Sequence, residues 1–187
     1  MKRILCILLT VISIALLVGC SGNNPQRDNQ TNPPTTTVVP ETEPEFDLAA
    51  FKSAVAQCQA DINDASIYIA NMGTYEYNFW KALGSLSDSM TEKAYEWLAE
   101  NSDATKESVE TAFESIRQQY KDIALTEYSG KEAEAIYTAF ESMYQSYIGM
   151  YNLVTSPSGS ITNFATDLNN YIEAIKESDS ELSLFLE

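Results

Sequence analysis

The chain contains no histidine. That excludes Ser-His-Asp and Cys-His nucleophilic catalysis, His-ligated zinc and the Glu-x-x-His di-iron motif of ferritin-like bundles. Cysteine is nearly as scarce. Cys6 and Cys20 fall in the first twenty residues, which leaves Cys58 alone and no intrachain disulfide beyond them. Seven glycines, widely scattered, make no phosphate-cradling loop. The stretch DINDAS at 61–66 fails as a calcium loop, because Ala65 sits where the third oxygen ligand belongs and no glycine follows. No cofactor and no metal are therefore expected. Alternating runs of Val, Ile and Thr are missing too, so no strand is expected. Basic residues are few: 11 against 27 acids, a net charge of −16. Such a surface repels nucleic acid phosphates and anionic headgroups, and it favours solubility and cationic partners.

The N-terminus does carry a signal. Lys2 and Arg3 precede an apolar run from Ile4 to Val18, interrupted only by Thr10 and Ser13. A membrane-spanning helix needs about 20 apolar residues, so the run is short for a permanent span. Its length and basic start fit the h-region of a secretory signal peptide. It ends Leu17-Val18-Gly19-Cys20. This resembles the lipobox of bacterial lipoprotein precursors. The resemblance implies that Cys20 receives a diacylglyceryl group and that the chain is cut after Gly19. Two acyl chains anchor a protein stably where one does not. The resemblance covers only these twenty residues.

Residues 20–45 read as a tether behind that cysteine. The segment from Ser21 to Glu45 holds five of the six prolines, and Val38 and Val39 are almost its only apolar side chains. It cannot bury enough apolar surface to offset the entropy of ordering. Pro and Thr favour extended, semi-stiff spacers of at most about 3.1 Å per residue. Ser21 stands where diderm lipoproteins carry a retention Asp, and the Thr/Pro/Asn composition resembles monoderm tethers. The expected location is thus the extracytoplasmic face of a monoderm membrane, with the lipid bilayer as first partner. With Lys2 and Arg3 gone and no acid lost, the net charge falls from −16 to −18.

The domain at 46–187 has a helical period throughout. Leu48, Phe51, Val55, Cys58, Ile62, Ala65, Ile69 and Met72 alternate steps of three and four, which defines a buried seam. Cys58 on that seam reads as a small buried hydrophobe, not a reactive thiol. Asp47 is a good N-cap, and Phe46 can staple onto Phe51. Val109, Phe113, Ile116, Tyr120 and Ile123 mark another helix. So do Ile136, Phe140, Met143, Tyr147, Met150 and Val154, and then Ile161, Phe164, Leu168, Ile172 and Ile175. Capping boxes are expected at Ser89/Glu92 and Ser129/Glu132, and Ser156-Pro157 is expected to open the last helix.

Long helices over 48–71, 103–126, 132–154 and 157–178 would each measure about 35 Å. Four matched helices imply an all-α fold, an up-down-up-down four-helix bundle. The segment 72–102 is its membrane-distal insertion. The alternative is an extension, with the first helix unbroken from 48 to 86 and matched by two shorter helices laid end to end. Almost every acid is expected on a solvent-facing side.

Both tryptophans and several tyrosines collect in 72–102. Tyr75, Tyr77, Trp80 and Trp97 are the candidate binding residues, for an unknown protein, peptide or glycan. Against this stands their use as the segment's own core, the better reading for Phe79, Trp80 and Trp97. Tyr137, Tyr144 and Tyr151 recur every seven residues and read as a seam flank with hydroxyls reaching water. The expected function is a membrane-anchored binding module. The alternatives are an accessory or inhibitory lipoprotein docking on an exported or membrane partner, a ligand-binding bundle, and, last, a carboxylate-only enzyme.

Overall fold

The computed structural model describes residues 46–186; the lipobox, Cys20 and the tether lie outside them, as does Glu187. The described residues form five α-helices and no strand. They are α1 (Leu48–Leu83), α2 (Met90–Asn101), α3 (Lys106–Ala124), α4 (Lys131–Thr155) and α5 (Ile161–Leu186). The result is an all-α helical bundle.

The first helix runs unbroken through Gly73 and ends at Gly84, whose left-handed φ of 72° caps it. Gly73 serves packing instead of chain reversal. A Cβ there would meet Leu168 of α5 at 2.8 Å and Val154 of α4 at 3.0 Å, so glycine lets both neighbours approach without displacement. Of the two layouts left open by the sequence, the extension is the one observed. At about 1.5 Å per residue, the 36-residue α1 spans about 54 Å. Two shorter helices return along it. Trp97 of α2 stacks on Tyr75, while Gln119 of α3 donates to Asp61 at 2.7 Å. On the other side, α4 runs from Glu132, paired with Lys52 at 2.7 Å, to Val154 beside Gly73. Phe164 of α5 packs on Trp80 near the far end, and Asp179 accepts from Gln59 near the start.

The seams fill the core. Phe51, Val55, Cys58, Ile62, Ala65, Ile69 and Met72 are all buried, as are all six expected positions of α4. Asp47 accepts from the Ala50 N–H at 2.9 Å, and the Phe46 and Phe51 rings meet at 5.6 Å, the expected cap and staple. Cys58 is a buried free thiol, pushed up to about 12 by burial first and by Asp61 second. It is inert for the reason expected.

Several helix ends differ from the sequence reading. Ser89 makes no side-chain cap bond, and the Ser129/Glu132 box does not form because Gly130, at φ 96°, takes the N-cap position. A box forms instead at Thr105 and Ser108, so α3 starts at Lys106 and not at 103. The last helix does not open at Ser156-Pro157. Gly159, at φ 80°, turns the chain first, and the Ser160 hydroxyl then accepts from the Asn163 N–H at 3.2 Å. It also continues past residue 178, because Leu182 finds the core and Asp179 binds α1.

Candidate functional site

The far half of α1 and the facing α2 gather the candidate aromatics, but not into one cluster. Tyr75 stacks between Phe79, at 5.9 Å, and Trp97, at 5.4 Å between ring centroids. All three are half-buried. Lys93 lies over the Phe79 ring at 5.9 Å. Tyr77 stands apart, beneath the Lys81 ammonium at 5.8 Å. Trp80 is 5% exposed and packs on Phe164. The divergence follows from helix geometry: residues two and five positions apart project in different directions. Thus Tyr75 and Trp97 share a surface, Tyr77 has another, and Trp80 is core.

Between Tyr75 and Tyr77 lies a residue that the sequence reading passed over. Glu76 is 0% exposed, and neither of its carboxylate oxygens has a hydrogen-bond partner. It breaks the expectation that acids face water. The seam gives the reason, since steps of four from Met72 reach Glu76 and then Trp80, both buried. Extending the apolar period past Gly73 would have found it. Burial raises its carboxyl from the ordinary 4.5 to about 8. Thr91 of α2 pulls weakly the other way. Its hydroxyl, however, leans on the Val154 carbonyl at 3.5 Å and does not reach Glu76 with hydrogen-bond geometry. Desolvation therefore governs the group and favours its neutral form.

Tyr95 of α2 lies next to this carboxyl, 5% exposed, with its hydroxyl pushed up by burial first and by Tyr151, Glu110 and Glu76 after it. Lys106 sits over its ring at 5.4 Å. The cation–π contacts found among the described residues, from Lys81, Lys93 and Lys106, all surround α2 and the end of α1. Farther down, the Tyr137, Tyr144 and Tyr151 stripe is a helix–helix joint and not a wet flank. Tyr144 stacks on Tyr120 at 3.7 Å, Tyr151 on Phe113 at 3.8 Å, and Tyr137 on Tyr128 at 5.0 Å. Tyr120 and Phe113 are on α3, and Tyr128 is in the loop that joins α3 to α4. Tyr144 is buried, which corrects the expected exposure.

Two of the surface grooves lie along α1. One, of about 700 Å³, lies between α1 and the start of α3 and carries Asp61, Asp64, Asp103 and Glu107. The other, of about 370 Å³, lies between α1 and α5 and is mainly apolar, with Ile67, Ala70, Ile172 and Ile175. The DINDAS stretch is helical, with Ile62 and Ala65 in the core and Asp61 taken up by Gln57 and Gln119. Among the described residues, no group of three or more Cys, Asp or Glu is placed to hold a metal ion. No described helix is long and apolar enough to cross a membrane. No protein-family model matches the chain, and neither the curated proteins nor the solved structures include a similar one.

Proposed function

We propose that this is a lipid-anchored bacterial lipoprotein whose helical domain is a binding module, with Tyr75, Phe79 and Trp97 as its contact face. The observation that supports this reading most is the half-buried ring stack shared by α1 and α2. Tyr and Trp combine large contact area with a polar handle and dominate binding hot spots. Tyr75 lies 27 residues into α1, about 40 Å from the helix start that follows the tether. The partner of this face is a protein, peptide or glycan, and the acidic surface disfavours nucleic acid. The location is the extracytoplasmic face of a monoderm cell membrane, from the Leu17-Val18-Gly19-Cys20 sequence and the Thr/Pro tether.

Two measurements test the halves of this reading separately. Cys20→Ser should move the protein out of the detergent phase and leave the signal uncut. Unchanged partition and mature mass would refute the anchor. Capture of partners from intact cells should be weakened by Tyr75→Ala and by Trp97→Ala, each costing about 2 kcal/mol or more in affinity with helicity retained. Wild-type capture by both variants would refute the contact face.

A further inference from the structure

We propose that α2 is a latch that stays shut only while Glu76 carries a proton, and that ionisation of Glu76 releases α2 while the remaining helices stay packed. The latch stands on geometry. Glu76 sits on the α1 seam under α2, with no exposure and no partner for either oxygen. A buried carboxylate without a partner is among the costliest groups a core can hold. Closure therefore demands the neutral form, and ionisation demands water.

The surrounding groups leave the proton as the only source of relief. From α2, Thr91 and Tyr95 face the carboxyl. From α4, Tyr151 and the Val154 carbonyl lie beyond them. On α3, Glu110 and Lys106 flank the Tyr95–Tyr151 pair, and the Lys106 ammonium is held over the Tyr95 ring and 3.2 Å from Glu92. The side chains that α5 brings to this part of α1, Phe164 and Leu168, are apolar. No ion pair to Glu76 exists among the described residues. Burial pushes Tyr95 and Tyr151 upward, so both remain neutral wherever Glu76 titrates.

α2 is also weakly tied at its ends. It is the shortest helix, with 12 residues, and its N-cap Ser89 makes no side-chain cap bond. Loops 84–89 and 102–105 join it to its neighbours, and Gly84 is left-handed at the first. Only Met90, Ala94, Tyr95 and Leu98 are buried on its inner face. Its polar ties to other elements are long, 3.5 Å from Thr91 to Val154 and 3.2 Å from Lys106 to Glu92. A short helix with loops at both ends and weak end-bonds is a segment that can open below the global unfolding free energy.

The linkage sets the size of the effect. An opened α2 lets Glu76 ionise near its ordinary 4.5, whereas the closed form holds the proton to about 8. Between those values the open/closed ratio rises by up to about tenfold per pH unit, or about 400-fold from pH 5 to 8. Opening would also part Trp97 from Tyr75, because the stack spans α1 and α2. If that stack is the contact face proposed above, it is assembled only in the closed form; the latch itself does not depend on the binding role.

Hydrogen exchange of the full chain in detergent, corrected for the intrinsic pH dependence of exchange, tests the latch without any partner. Protection of amides 90–101 should fall by up to about tenfold per unit from pH 5 to 8 in the wild type. It should stay level in Glu76→Gln and in Glu76→Met, and amides 131–155 should stay protected throughout. Three results would each overturn the proposal: level protection of α2 in the wild type, the same fall in both variants, or parallel loss from 131–155.

Discussion

Between Phe51 and Met72 the seam of α1 carries only apolar side chains, all buried, whereas beyond Met72 the same seam carries Glu76 and then Trp80. The near half also buries polar groups: the small, neutral Ser66 hydroxyl, without a partner, and one amide on satisfied terms. Gln59, 8% exposed, donates to the Asp179 side chain at 2.8 Å and to the Asp179 carbonyl at 3.1 Å. Glu76 has no equivalent. The comparison teaches that one continuous helix can hold two regions of different purpose. The near half is packed for stability. The far half keeps a costly group in its core and half-exposed rings on its face, and sequences give up stability in this way where something other than stability is required.

The largest expected effect is the pH dependence of stability. Glu76 binds its proton more tightly folded, at about 8, than unfolded, at 4.5. Its contribution is therefore fully present below pH 4.5 and is lost as pH rises to about 8. At about 1.4 kcal/mol per unit the loss is at most about 5 kcal/mol, with release of α2 limiting it. Urea unfolding at pH 5 and pH 8 should show a loss in the wild type that shrinks sharply in Glu76→Gln. Next comes the near half. Phe140→Ala, at a fully buried position of α4, should cost about 3–5 kcal/mol at either pH. A pH-dependent cost there would blur the distinction between the halves.

Gly73→Ala tests the border between them. Its methyl would press on Leu168 and Val154, so a loss of about 1–3 kcal/mol is expected by thermal unfolding. A neutral outcome would mean that α5 can shift and that the close approach is not required. The smallest effect belongs to Lys52→Ala, which removes the exposed pair with Glu132. It should cost under about 1 kcal/mol and less at high salt.

Much of this architecture can be read from spacing. Ile62, Ile69, Phe140 and Met150 recur at steps that fit only a helix, and their burial follows. The layout of the far half could not be read as directly. A glycine in a helical pattern can end the helix or admit a neighbour, and only Leu168 and Val154, distant in sequence, decide that Gly73 does the second. Ser-x-x-Glu is too common a pattern to fix a helix start, and at 129–132 the positive φ of Gly130 overrules it. Tyr144 looked peripheral because its covering ring, Tyr120, belongs to another helix. Glu76 was legible by period and hidden by residue type, since a carboxylate is ordinarily assigned to water. Of the candidate binding residues, the pairing of Tyr75 with Trp97 depends on how α2 folds back, which no local pattern in either segment encodes.

The central claim is that Glu76 is a buried neutral acid at physiological pH. A carbon-13 NMR titration of the glutamate side-chain carboxyls, with the Glu76 resonance assigned by its absence in Glu76→Gln, measures this directly. A midpoint near 8 is the predicted result. A midpoint near 4.5 would mean that the carboxylate meets water or a cation in the closed protein, and would contradict both the contrast between the two halves of α1 and the latch built on it.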